Sequence, residues 1–512
     1  MLLLLIVSAG AGSSVLGQDA NWDMQNYHYY NPWAWWNGRI FDWDVAAAQI
    51  QTYHNPILDF PFFAMVTLAW PPRVIAFVLS MPTALAGFFV YKLAWILFDA
   101  LPARERAVAV ACAVAIGTTS AMGLGTLAVT MNEWPLAMLV TFALWWLVRA
   151  QDAQGSIARR ALVGGGLAMG IAAGAKLTAA SFPLAMCIAL LLRGPRLRVA
   201  DAAWFAFGAA CGIAIAYGPW GYALWTHYGN PLFPYANQWF ASPWWETQPV
   251  PGRRFGPDSV AGYLLFPFAL WQPPLFFVAE TVYRDARIPL AYALALVAAA
   301  VWLFRRPRHM DGAARKFEWR LVASFCVVSF VVWTIAFSIS RYLVPLEALC
   351  GVIIGGVLLQ LLPHRTALVA IATCTVALIV TTRIADWGRV PFGDRWFEAK
   401  SMPIVEANGL VLITTGEAVS YYIPMLPPTS RYVGALNALV NPQQKSGLAR
   451  EVADIVSGHR GYIYQMTHPL GAGEEVLAQH GLERTSACAV VITNMPVSPI
   501  EFCRLVRMRI SR

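Results

Sequence analysis

The chain has 512 residues, 58% of them hydrophobic and 13% charged, with 22 tryptophans and a mean hydropathy of +0.53. The charged share is about half that of a soluble globular protein. That excludes a soluble enzyme, a disordered protein, a collagen-like fibre and a disulfide scaffold, and leaves a polytopic α-helical membrane protein. The net charge of +9 comes with no compact basic domain or recognition motif, so no nucleic-acid partner is expected.

Apolar runs long enough to cross a bilayer fall near residues 1–17, 73–98, 106–127, 135–148, 161–175, 177–192, 199–225, 289–304, 321–340, 343–362 and 366–382, which predicts about 11 transmembrane helices. The first run lacks a basic leader and reads as an uncleaved span rather than a signal peptide. The pair 161–175 and 177–192 is short and reads equally as a re-entrant pair. Loops near residues 104–106, 149–160, 193–198, 305–320 and 365 hold fifteen Lys and Arg, against seven in the opposite, longer loops. The positive-inside rule puts the first set in the cytoplasm, with the N-terminus inside and the C-terminus outside. The expected location is the cell inner (plasma) membrane.

Two outward loops, 18–58 and 226–288, and a tail, 383–512, are the polar parts. The tail holds 13 Lys and Arg and 11 Asp and Glu. Its short apolar runs Gly409–Thr414, Gly461–Tyr464 and Ala489–Thr493 read as buried strands among helices. The expected division is a membrane catalytic part, 1–382, and an extracytoplasmic α/β domain, 383–512. Cys488 and Cys503 lie in that tail, where a disulfide and free thiols are equally compatible with the sequence. The other six cysteines sit singly in apolar runs as packing residues.

With so few charges, each outward one stands out. Asp19 and Asp23 follow the first span. A carboxylate at a membrane surface is partly desolvated, which suits a general base acting on a lipid-linked substrate; the bland alternative is a helix cap. Glu133, after Asn132 and before Pro135, is either a helix-start carboxylate or a second acidic group of a site. Lys176 is the only charge between residues 161 and 192. A lone cation there is a binding candidate, against a snorkelling lysine. Arg341 and Tyr342 precede Leu-Val-Pro345; an arginine there can clamp a phosphate bidentately or meet lipid headgroups. Arg253 and Arg254, in the aromatic second loop, can bind phosphate or hydroxyls, while the loop's tryptophans read equally as sugar-stacking faces or as an interfacial aromatic belt. Carboxylates and cations on one face suit group transfer from a lipid phosphate. A divalent cation is compatible with that chemistry, and no ligand-spacing motif names a metal.

These patterns, in this order, resemble the GT-C membrane glycosyltransferases, especially the branch of the protein O-mannosyltransferases and the lipid A aminoarabinose transferase. The first loop reads Asp23, Tyr27, Gly38 and Asn55-Pro-Ile-Leu58. The glycine-rich fifth span with a lysine reads Gly166-Leu-Ala-Met-Gly170 and Gly174-Ala-Lys-Leu-Thr178. The late Arg-Tyr-Leu-x-Pro reads Arg341–Pro345. The resemblance implies a polyprenyl-phosphate sugar donor, an inverting displacement, a glycan, lipid or protein acceptor, and a role in cell-envelope glycan biosynthesis. It makes Asp23 the base, ahead of Asp19, with Glu133 in support. Lys176, Arg341 and Tyr342 then contact donor phosphate, together with Arg253, Arg254 and a protonated His54. Tyr27, His28, Asn55 and Asn132 are the substrate-binding candidates. The chain departs from the branch at His54-Asn-Pro56, where Lys-Pro-Pro is expected. The rival readings are a flippase of a lipid-linked saccharide, which calls for repeats and mid-span charges not found here, and a noncatalytic assembly subunit.

Overall fold

The computed structural model describes residues 1–151, 153–192, 198–247, 255–305, 316–401, 403, 405–469, 473–497 and 499–508. Among them, five helical segments are long and apolar enough to cross a membrane: Pro72–Leu97, Val199–Tyr228, Glu318–Ala336, Ser340–Leu361 and His364–Thr381. Shorter apolar helices include Leu2–Leu16, Leu177–Leu192, Val260–Ala269 and Arg287–Val301. The run expected as a span over 106–127 is broken. Its helix, Ala103–Thr118, stops before Ser120, whose hydroxyl accepts from Gly123 N (3.1 Å) and starts a separate short helix, Ala121–Gly125. A small buried serine leaves little trace in a hydropathy count.

Contacts divide the chain into two units. The first comprises Met1–Ser13, Phe77–Gly218 and Pro251–Trp387, and the second Ser14–Ala76, Pro219–Val250 and Gly388–Arg512.

The first unit is helical, and glycines set its closest packing. Gly166, Gly170 and Gly174 repeat every fourth residue on helix Gly155–Ala175, and Gly208 and Gly212 do so on helix Val199–Tyr228. A Cβ on Gly170 would come within 2.1 Å of the Ala209 carbonyl oxygen, and one on Gly208 within 2.2 Å of that of Val163. Small residues let backbones meet where lipid supplies no hydrophobic drive between helices. Gly117 and Gly351 do the same for helices Ala103–Thr118 and Val344–Leu361.

A buried arginine ties this unit together. Arg287 is fully buried. Its guanidinium donates to both Asp285 oxygens (2.9 Å), Ile116 O (2.7 Å), Thr119 O (2.7 Å) and Oγ1 (2.8 Å), and Thr382 Oγ1 (2.7 Å). Asp285 Oδ2 in turn accepts from Ala121 N (2.7 Å) at the break after Ser120. Every branch of the charge is satisfied, as a buried ion requires.

The second unit carries a short two-stranded ribbon, β1 (Gln18–Asp19) with β2 (Arg389–Val390), and a five-stranded mixed sheet. The sheet comprises β3 (Leu410–Ile413), β4 (Arg431–Gly434), β5 (Ile463–Thr467), β6 (Leu482–Val491) and β7 (Ile500–Arg507), in the order β4-β3-β5-β7-β6. The first three are parallel, and β7 runs antiparallel to both neighbours. β3 is buried along its whole length, as a continuous Leu-Val-Leu-Ile run in a covered parallel strand should be. Helix Gly447–Gly458 crosses from β4 to β5. Cys488 and Cys503 face each other across β6 and β7 and form a disulfide.

The first loop packs on this sheet. Val45 lies beside Val433 of β4, accepting from Gly434 N (2.8 Å). Next to it, the buried pair Arg39–Asp44 (2.8 Å) is fixed by Tyr30 OH and Tyr432 N, each donating to Asp44 at 2.9 Å, and by Arg39 donating to Ser430 O (2.7 Å). Burial raises the Asp44 carboxyl above its ordinary value, and the hydrogen bonds from Arg39 oppose the rise.

Candidate active site

In the first unit, three distant pieces of chain converge. Helix Glu133–Arg149 begins at Glu133, behind Asn132 in the left-handed conformation (φ 67°). Glu133 is 2% exposed. Helix Gly155–Ala175 ends at Lys176, which is extended (φ −143°, ψ 111°), and a 3-10 turn, Leu177–Ala180, leads into helix Ser181–Leu192. The short pair expected at 161–175 and 177–192 is therefore two helices with Lys176 at their break. Lys176 Nζ donates to Glu133 Oε1 (2.5 Å) and Met131 O (2.9 Å).

The third piece is the 3-10 turn Ser340–Leu343. Lys176 Nζ lies 5.1 Å from the Tyr342 ring centre, and the Arg341 guanidinium 5.6 Å from the same ring. These distances suit cation–π attraction. Arg341 also lies over Trp387 (5.5 Å), and its Nη1 is 3.7 Å from Met131 Sδ. Glu133, Lys176, Arg341 and Tyr342, which sequence reasoning had selected separately, thus form one cluster. Two cations and one buried carboxylate thus meet at one place.

In the second unit, the first loop forms another polar cluster. Asp19 is 1% exposed and sits in β1, its Oδ1 accepting from Asn21 N (3.0 Å) and Asn21 Nδ2 (2.7 Å). Those two bonds close a turn. Asp23 is half-buried and directly precedes a π-helical turn, Met24–His28. Such turns recur at functional sites. Tyr27 packs on His28 (ring centres 4.0 Å apart) and edge-on to His54 (5.3 Å), whose Nε2 is 3.0 Å from Tyr235 OH. Asn55 Oδ1 accepts from Ile57 N (3.2 Å) in a local turn.

His28 and Asp59 form a buried pair, Nδ1 to Oδ1 at 2.8 Å, and His28 Nε2 is buried with no hydrogen-bond partner. With Asp59 accepting from Nδ1–H, the Nε2 lone pair is the free one, the arrangement that orients an imidazole base. Asp59 was not among the sequence candidates, because it stands one residue past the first-loop boundary drawn at 58. The rule that every carboxylate matters in a charge-poor segment is the signal that points to it. Arg253 and Arg254 lie outside the described residues. The only grouping of metal-ligand types among the described residues is Cys488, Glu501 and Cys503, and its two cysteines are joined in the disulfide.

The sequence model of Glycosyltransferase family 87 matches residues 53–337, more than half of the chain. The chain belongs to glycosyltransferase family 87. The matched stretch takes in Glu133 and Lys176 and leaves out Asp19, Asp23 and Arg341. No curated protein matches this family member. Among solved structures, it is similar to the crystal structure of ArnT from Cupriavidus metallidurans bound to undecaprenyl phosphate, with a TM-score of 0.53 and 14% identity over 98% of this chain and 97% of that one. That likeness is one of fold. The family-87 chain is a multi-pass membrane glycosyltransferase with the GT-C architecture.

Proposed function

We propose that this family-87 glycosyltransferase moves a sugar from a polyprenyl phosphate to an acceptor on the outward face of the plasma membrane. The observation that carries the reading is the Glu133–Lys176–Arg341–Tyr342 cluster. A polyprenyl-phosphate sugar is a phosphodiester with one negative charge, and the cluster brings a lysine and an arginine to one place. Arginine and lysine in a partly dry site are suited to hold a departing phosphate. Glu133 keeps Lys176 aimed rather than snorkelling. The solved structure with the similar fold holds a polyprenyl phosphate, which favours the same donor class here.

In the reaction, a base takes the acceptor hydroxyl proton. The acceptor oxygen bonds to the anomeric carbon from the opposite face, and the bond to the phosphate oxygen breaks with its electron pair leaving on phosphate. We assign Asp23 as the base, from its place just after the first helix and its four-residue offset to Tyr27. A second reading is favoured by the His28–Asp59 pair, in which Nε2 takes the proton instead. Tyr27, Asn55 and Asn132 are assigned to substrate. The reading keeps an eleven-span topology with the N-terminus inside, a membrane part over 1–382 and an extracytoplasmic tail over 383–512. The disulfide Cys488–Cys503 supports that sidedness, since such bonds persist in oxidising compartments.

The test is transfer by purified full-length protein in lipid nanodiscs supplied with polyprenyl-phosphate sugars. Asp23→Asn should abolish transfer and leave donor binding intact, while His28→Gln should leave most of the rate. Full transfer by Asp23→Asn together with its loss in His28→Gln would move the base to His28.

A further inference from the structure

A second concave site lies in the sheet-bearing unit, remote in sequence from every group assigned to the base, the substrate or the donor phosphate. It is a cleft of about 380 Å³ at the carboxyl end of β4, between the 435–445 loop, helix Gly447–Gly458 and the end of helix Glu474–Gln479. This is within the size range of small-molecule sites. Its polar lining is Asn441, Gln444, Lys445, Arg450, Gln479 and His480, and the rest is alanine and valine. Among the described residues no carboxylate lines it.

The walls are braced. Asn441 Oδ1 accepts from Gln443 N (3.0 Å) and its carbonyl from Gln444 N (3.1 Å). Gln479 Nε2 donates to Pro442 O (3.4 Å), and Arg450 Nη1 to the Lys445 backbone O (3.4 Å), which ties the guanidinium to the loop. Within this frame, Gln444 Oε1 is buried with no hydrogen-bond partner. A buried acceptor left unpaired costs about 1–3 kcal/mol and calls for an explanation. A carboxylate or a fully ionised phosphate monoester satisfies Lys445 and Arg450 but carries no proton to give Gln444 Oε1. A sugar hydroxyl does.

We propose that this cleft binds an anionic saccharide, its phosphate or carboxylate on Lys445 and Arg450 and its hydroxyls on Gln444 and Gln479. Its place in the reaction, holding the anionic glycan acceptor or product, rests on the glycosyltransferase reading. The binding itself does not.

The test is calorimetric titration of the full-length protein in detergent with glucose 6-phosphate, glucose and inorganic phosphate. Glucose 6-phosphate should bind saturably, and at least tenfold more tightly than either of the other two. Both cations are exposed, so Lys445→Glu/Arg450→Glu should fold, as circular dichroism can check, and should weaken binding at least tenfold. Gln444→Leu should weaken glucose 6-phosphate more than it weakens inorganic phosphate. Binding should persist in Lys176→Met, so failure of the donor reading and failure of this one are separable. Glucose 6-phosphate binding that ignores the double charge reversal, or that inorganic phosphate equals, would overturn the proposal.

Discussion

Replacing Lys176 by methionine separates the two tasks its ammonium performs. It neutralises Glu133, which is 1% exposed at the side chain, while being itself 21% exposed. Removing one partner of a fully buried pair costs about 3–5 kcal/mol. With the lysine partly wet, the expected cost is at or below the lower end of that range, roughly 3 kcal/mol. The same ammonium is expected to donate to the donor phosphate, and a hydrogen bond to a charged group contributes about 1.5–3 kcal/mol, or about ten- to a hundredfold in affinity. Glu133→Gln in the Lys176→Met background removes the stranded carboxylate. The double variant should therefore recover most of the thermal stability and none of the donor affinity, a non-additivity that a double-mutant cycle isolates. The assay is a melting curve in detergent paired with a polyprenyl-phosphate titration of all four proteins. Wild-type donor affinity in Lys176→Met would refute the phosphate role. Stability that stays low in the double variant would refute the ion-pair argument.

Three further outcomes follow from the packing and the titrating groups. Gly170→Leu drives a side chain into the Ala209 carbonyl, 2.1 Å from where its Cβ would lie, and should cost more than the roughly 1–3 kcal/mol of ordinary overpacking, read as loss of monodisperse protein or a lowered melting point; an unchanged melt would refute the close helix contact. Burial lowers the His480 imidazole below its ordinary value, so below about pH 6.5 the unfolded chain binds a proton that the folded one does not, and stability falls as pH drops through that window. Between pH 7.5 and 5.5 the wild type should lose stability relative to His480→Gln, measured by hydrogen exchange in β5 and β6. Cys488→Ser/Cys503→Ser opens a loop with a sequence separation of 15 residues and should destabilise the sheet by about 3 kcal/mol, which denaturant melts of the tryptophan and far-ultraviolet signals can check.

How far the sequence reached differs between the two units. Apolar runs located the helices, because span length is imposed by the bilayer and needs no partner. The break at Ser120 escaped, since a cap is a hydrogen bond and not a composition. In the tail, β3 and β5 were legible as apolar runs. β4 and β7 were not, because Arg431-Tyr-Val-Gly434 is short and Ile500–Arg507 breaks the strict alternation of a half-buried strand with the apolar pairs Phe502-Cys503 and Leu505-Val506. For the site, rarity of charge singled out Glu133, Lys176 and Arg341, and the structure joins them. Rarity did not separate those from Asp285 and Arg287, whose task is to close backbone carbonyls and amides at a helix break. The packing of the first loop on the sheet through Arg39 and Asp44 was also hidden, because nothing local in residues 39–44 names Tyr432 as a partner.

The central claim is that Lys176 and Arg341 hold the phosphate of a polyprenyl-linked donor. A structure of the full-length protein with undecaprenyl phosphate bound tests it most directly. The account predicts the phosphate oxygens within hydrogen-bond distance of Lys176 Nζ and the Arg341 guanidinium, with Lys176 still paired to Glu133. A headgroup seated elsewhere, with neither cation touching it, would contradict the account.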